Sequence, residues 1–240
     1  MSDATHNTPS SVNTPSSVNT PGLVPAGRSR RAVVVFLLLT VAVLGADLFI
    51  KAWSFRTVAG APVQLTPLVA EDHWAFWSQY PHEPTVVVPK VLNLRLTTNT
   101  GAVFGLGKGN RVMFIGVSAV ATAVIGFLFW RSPHNAWVLH AALALILAGA
   151  LGNLYDRWQF AAVRDMFHML PGVNLPFGLS WPAPTPPAGH PPVEGPTEVW
   201  PWIFNLADVA LMVGVGGVLI TSLFAAEPPK QPPAASASRP

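Results

Sequence analysis

The 240-residue chain contains no cysteine, so it forms no disulfide, carries no thiol nucleophile, offers no thiolate to a metal and takes no lipid on Cys. Charge is nearly as scarce. Charged residues make up 10% of the chain, against about 25% in a typical soluble domain, while hydrophobic residues reach 50%. A Gly-x-Ser-x-Gly elbow is missing, and Ser118 and Ser222 lie in apolar runs with no Lys or His near them in sequence. The seven histidines form no His-Glu-x-x-His helix, so zinc hydrolysis lacks ligands, and neither a metal nor another cofactor is expected. The net charge of +3 comes mostly from residues flanking the apolar runs, with no basic stripe of the kind that binds nucleic acid.

What is present is a membrane pattern. Four apolar runs, 32–50, 112–130, 136–155 and 203–224, each come close to the roughly 20 residues of one helical crossing of a bilayer core. The first is too long for the apolar core of a signal peptide, about 7–15 residues, and no small-residue cleavage site follows it cleanly, so a retained span is expected. The fold class is thus an α-helical integral membrane protein with four transmembrane helices. Arg28, Arg30 and Arg31 precede the first span and by the positive-inside rule hold the N-terminus in the cytoplasm. Arg131 in the turn after the second span, and Lys230 and Arg239 in the C-terminal tail, then fall on the same side. The segment after the first span also carries basic residues, Lys51 to Arg111, but long translocated segments obey the rule weakly.

Residues 1–31 form a polar tail in which a near-perfect hexapeptide starts at Asn7, Asn13 and Asn19, and this composition predicts disorder. The Pro- and Ala-rich residues 226–240 read the same way, leaving 32–225 as the membrane domain. Between the first two spans, Val86 to Val88 and the alternating Val91-Leu92-Asn93-Leu94-Arg95-Leu96 predict a small outward-facing β-sheet. It feeds Thr98-Asn99-Thr100-Gly101-Ala102, a turn able to hold backbone close to a ligand. The second outward segment, about 171–202, is an insertion with ten prolines, which exclude a regular helix through most of it, and Trp181, Trp200 and Trp202 suit a headgroup zone. A plain loop and a functional lid both fit it.

The acids sit where lipid makes them costly, at the ends of the apolar runs, and an intramembrane carboxylate is by default a candidate functional group. Asp47 and Lys51 are spaced to pair on one helix face, which reads as structural. Asn153, Asp156 and Arg157 recur on one side of the third span. Asp156 is expected to be structural and to hold Arg157, with Asn153 and Arg157 facing a site. Asn205 and Asp208 open the fourth span, and Asp208 has no cation within one helical turn, so it needs water or a second carboxylate. Asp165 is the candidate partner. Neighbouring Arg164 need not neutralise it if the segment is helical, since consecutive helix residues point apart. Two aspartates sharing one proton can activate water and donate to an amide carbonyl.

In order along the chain, Asp47 with Lys51, Asn99-Thr100-Gly101-Ala102 with Phe104, the run from Gly149 to Arg157, Val163-Arg164-Asp165 and the run from Phe204 to Asp208 resemble bacterial lipoprotein signal peptidase, signal peptidase II. The resemblance implies a four-span membrane aspartyl endopeptidase with a β-cradle and a short surface helix before the last span. It implies removal of signal peptides from prolipoproteins before a diacylglyceryl-modified cysteine. Asp165 and Asp208 would be the catalytic pair, and Asn99, Gly101, Asn153, Arg157 and Asn205 would line the substrate pocket, leaving Asp47, Lys51 and Asp156 structural. The expected partners are prolipoprotein substrates and membrane lipid, and the expected state is a monomer in the bacterial inner membrane, both termini cytoplasmic and the site near the outer face. Arg164 departs from the apolar residue usual in the family at that position. A four-span transporter or assembly factor using the acids as proton sites is the alternative, and would spread polar residues through the spans instead of clustering them at one end.

Overall fold

The computed structural model describes residues 25–101, 110–183 and 193–224. The hexapeptide repeat, Ala102, Phe104 and the C-terminal tail lie outside them. Four long apolar helices form the body: α1 Arg30–Thr57, α4 Arg111–Arg131, α5 Trp137–Phe160 and α6 Leu206–Leu223. Two short helices, α2 Pro67–Glu71 and α3 His73–Gln79, follow α1. At 1.5 Å per residue the 28 residues of α1 span about 42 Å, so this helix outruns a bilayer core and carries the chain clear of it.

α5 is the hub, packing against α1, α4 and α6. Its buried face is built from small residues, which let helices approach closely without a hydrophobic force between them in lipid. A Cβ on Gly149 would strike the Ala207 carbonyl, and one on Gly152 would lie 2.5 Å from the Asp47 carboxylate. On α6, Gly214 and Gly217 meet Ala142 in the same way. At the opposite end from the acids, Phe36 stacks on Phe129 at 4.0 Å beside Ile125 and Leu143.

The packed chain starts earlier than residue 32. Ala26–Arg28 forms a 3-10 turn, the Ala26 N–H donates to the Ser132 carbonyl at 2.8 Å, and Ser29 caps α1. Residues 25–31 are thus folded against the α4–α5 turn and do not belong to the tail.

A four-stranded antiparallel sheet covers the acidic end, in the order β1 Thr85–Val88, β2 Leu92–Asn99, β3 Val163–Met169, β4 Ile203–Phe204. The first two strands are those the alternation predicts. The other two come from the segment between α5 and α6, so the sheet does not lie solely between the first two spans. Asp165 stands on a strand, and Ile203 and Phe204 are strand residues instead of the start of the last helix. Phe55, Phe76, Leu94, Leu96 and Met166 fill the core joining the sheet to α1 and α3. Among the described residues between β3 and β4 the one helical piece is the 3-10 turn Pro176–Gly178, and the surface helix implied before the last span is not among them. That segment has structure of its own: Leu175 and Thr197, and Val173 and Val199, are joined by backbone hydrogen bonds of 2.7 Å.

Candidate active site

α5 ends at Ala161, whose left-handed backbone (φ 66°) stops the helix and turns the chain into β3. This reversal brings β3 onto the last turn of α5. In the register, Asn99 pairs with Val163 and Thr97 with Asp165, with a bulge in β2 between Leu94 and Thr97. Strand alternation sends Arg164 and Asp165 to opposite faces. β4 then delivers the chain to α6 through Asn205, whose side chain accepts the Asp208 N–H at 3.1 Å while the Asp208 carboxylate accepts the Asn205 N–H at 3.1 Å. This capping box fixes the first turn of α6, with the acid at the positive end of the helix dipole.

Asn205 joins the two aspartates. Its Nδ2 donates to Asp165 Oδ1 at 2.6 Å and to Asn153 Oδ1 at 3.2 Å. Asn153 Nδ2 in turn donates to Asp208 Oδ1 at 2.8 Å. Asp165 is buried and Asp208 is partly open. Burial, and then the neighbouring charge of Asp208, hold the Asp165 carboxyl well above its ordinary value; hydrogen bonds from Asn205 and Asn99 and the charge of Lys51 pull the other way. Asn99 also accepts the Gly101 N–H at 3.0 Å, and the Gly101 carbonyl accepts from Arg157 at 3.1 Å. The Arg157 guanidinium lies 4.7 Å from the Phe114 ring centre, within electrostatic reach of Asp208 and Asp165, and its buried Nε has no partner among the described residues. All seven residues expected at the site therefore share one place.

Behind them is a buried charge layer. Lys51 Nζ donates to Asn153 Oδ1 at 3.0 Å and forms ion pairs with Asp47 Oδ2 at 2.9 Å and Asp156 Oδ2 at 3.3 Å. Asp47 Oδ1 accepts the Ala207 N–H at 2.9 Å, tying α1 to the start of α6. Asp47 and Lys51 thus form a buried pair in the bundle. Asp156 does hold an arginine, but that arginine is Arg164, gripped by one carboxylate oxygen at 2.7 and 3.1 Å, while the other accepts the Arg164 N–H at 3.0 Å. The expectation that Asp156 holds Arg157 is wrong because the reversal at Ala161 brings a nearer cation to it. Sequence reasoning also missed Phe114 and the Ala207 N–H. A phenylalanine in an apolar run and a backbone amide carry no signal of their own.

Four membrane-length helices, with Asp165 and Asp208 linked through Asn205 at one end under an antiparallel sheet, fit a membrane hydrolase of the aspartic type. Residues 39–224 match the family described as Signal peptidase (SPase) II, and the chain belongs to that family, whose members cleave the signal peptides of prolipoproteins. It is 31% identical over 141 residues to the lipoprotein signal peptidase of Desulfitobacterium hafniense, covering 59% of this chain and 75% of that one. With the lipoprotein signal peptidase of Latilactobacillus sakei it shares 34% over 137 residues, 57% of this chain and 73% of the other. A solved bacterial membrane enzyme shares the fold, with a TM-score of 0.55 and 22% identity over 81% of this chain and 96% of that one. The chain is an aspartic-type peptidase, and the transporter alternative is not favoured.

Proposed function

We propose that Asp165 and Asp208 are the catalytic pair and that the enzyme cleaves prolipoproteins before a diacylglyceryl-modified cysteine. The observation that carries the assignment is the Asn205 bridge, which holds one carboxyl by its side chain and the other by its backbone N–H. Asp165, buried and hard to ionise, keeps the shared proton; Asp208, more open and at a helix N-terminus, is the base. Asp208 takes a proton from water as the oxygen attacks the scissile carbonyl, and Asp165 gives its proton to the carbonyl oxygen. The neutral gem-diol then collapses: a proton passes from a diol oxygen to an aspartate, another reaches the leaving nitrogen, and the C–N bond breaks. Arg157 orients Gly101 and leaves Nε free as a donor to a substrate carbonyl. Asn99, Asn153 and Asn205 position the acids and line the pocket.

Arg28, Arg30 and Arg31 before the first span support cytoplasmic termini, and the clustering of polar groups at the opposite, sheet end then supports a site at the outer membrane face; the working unit we propose is the monomer. Substrate acyl chains reach such a site laterally from the bilayer. The test is cleavage of lipidated and unlipidated precursor by purified protein in detergent, with Asp165→Asn and Asp208→Asn beside the parent. Loss of turnover in both folded variants, and preference for the lipidated precursor, support the proposal. Parent-like turnover in either variant refutes the pair, and equal cleavage of both precursors refutes the lipid requirement.

A further inference from the structure

On the far side of α5 from the aspartates, a cavity of about 310 Å³ lies between the sheet-end halves of α1 and α5. Its size is at the lower edge of the roughly 300–1,000 Å³ of small-ligand sites. Tyr155 lines it, and Tyr155 and Arg157 are two residues apart, about 200° around the helix, so this cavity and the aspartate site open on opposite faces. Arg56, in the last turn of α1, stands at the cavity, is exposed, and makes no ion pair or hydrogen bond with the described residues. Arg164 forms part of the wall, but its charge is matched: Asp47, Lys51, Asp156 and Arg164 make a neutral buried quartet. Arg56 therefore sets the sign of the site, and no acidic residue lines it.

Leu48 and Ala52 continue the cavity down α1 from Arg56. Eight residues separate Leu48 from Arg56, about 12 Å of helix, so the apolar part extends along the membrane normal beneath the cation. The surface around it is apolar and lipid-facing: Phe49 on α1 and Trp158 on α5 are 69% and 67% exposed. We infer that this cavity is a binding site for an anionic phospholipid, its phosphate on Arg56 beside the Tyr155 hydroxyl and an acyl chain along Leu48 and Ala52. A headgroup bearing an amine would set an ammonium beside Arg56 with no carboxylate to receive it, which favours a headgroup with net negative charge.

The test is native mass spectrometry of the full chain in detergent, titrated separately with phosphatidylglycerol, phosphatidylcholine and inorganic phosphate. The parent retains phosphatidylglycerol over phosphatidylcholine by about fivefold, the effect of one arginine on an anionic lipid. Arg56→Gln brings that ratio to near one, and Ala52→Trp, which fills the groove from a different residue, reduces retention of both lipids. Peptidase turnover serves as the fold control for both variants, since neither residue touches the aspartate site. Equal retention by parent and Arg56→Gln, unchanged binding in Ala52→Trp, or displacement of phosphatidylglycerol by inorganic phosphate alone would each overturn the inference.

Discussion

The guanidinium of Arg164 is gripped by Asp156 at 2.7 and 3.1 Å, so the arginine adjacent in sequence to Asp165 gives its charge to a different carboxylate. Strand geometry makes this possible, because the two side chains leave opposite faces of β3. A cation next to a proton-sharing pair would favour double ionisation and remove the proton the chemistry needs. The unusual residue at position 164 is thereby tolerated: its charge completes a neutral quartet behind the site.

Asp156→Asn leaves the buried Arg164 without its carboxylate and takes one of two carboxylates from Lys51, which keeps Asp47. Removing one partner of a buried ion pair costs about 3–5 kcal/mol, and the thermal midpoint in detergent is expected to fall accordingly. Any folded fraction keeps measurable turnover, because Asp156 does not touch the pair. A variant as stable as the parent but wholly inactive would place Asp156 in the chemistry.

Asp165→Asn is expected to stabilise the protein while abolishing cleavage. The folded carboxyl titrates well above the ordinary 3.8, so between that value and its raised folded pKa the native state holds a proton that the unfolded chain has released. Stability contributed by this group is full below about pH 3.8 and is lost as pH rises through that window. Asparagine keeps an oxygen acceptor for the Asn205 amide without this loss. The gain in thermal midpoint over the parent should grow with pH; a constant or shrinking gain would contradict the protonated state of Asp165.

Two glycines on apolar helices offer a matched comparison. A Cβ at Gly152 would lie 2.5 Å from Asp47 Oδ2 and 3.3 Å from the Ala207 Cβ, whereas one at Gly45 meets nothing within 4 Å. Gly152→Ala should cost about 1–3 kcal/mol by overpacking and shift α6, with it Asp208, lowering turnover. Gly45→Ala should be neutral or stabilising by up to about 1 kcal/mol, as expected for alanine in a helix interior. Equal effects of the two in a thermal-shift assay would mean that the close approach of α5 to α1 and α6 at Gly152 is not maintained in solution.

The sequence carried the spans, the first two strands and the candidate acids Asp165 and Asp208, because each leaves a local trace: run length, alternation, or an acid where lipid penalises it; the resemblance added Asn99, Gly101 and Asn205, which the fold places beside them. What it hid are long-range pairings. Nothing local tells that Asp156 meets Arg164, since that depends on a left-handed turn at an alanine instead of a glycine. β3 and β4 were obscured for a related reason. Arg164, Asp165 and His168 break the apolar pattern of a strand whose polar side chains are all buried by partners elsewhere in the fold. Ile203 and Phe204 read as helix because they adjoin the apolar run of the last span, and the capping box of Asn205 and Asp208 marks the boundary.

Glu198 is the clasp of the segment between β3 and β4. Its Oε2 lies 2.9 Å from His168 Nε2, its Oε1 accepts the Gly172 N–H at 2.8 Å, and its carbonyl accepts the Trp181 indole N–H at 2.9 Å. Trp181 in turn packs on Trp202 at 4.7 Å, and Trp200 packs on both Trp202 and Phe204, so an aromatic row leads from the segment to β4. Glu198→Ala removes both carboxylate contacts and leaves the buried His168 ring without its partner, a loss of about 1–3 kcal/mol concentrated in this segment. Hydrogen exchange should quicken at Gly172 and Val199 while α5 remains protected. If the segment governs access and takes no part in the chemistry, kcat for a short lipopeptide stays within about twofold of the parent and KM for a full-length prolipoprotein changes. Loss of short-lipopeptide turnover with α5 still protected would instead make this segment part of the catalytic site.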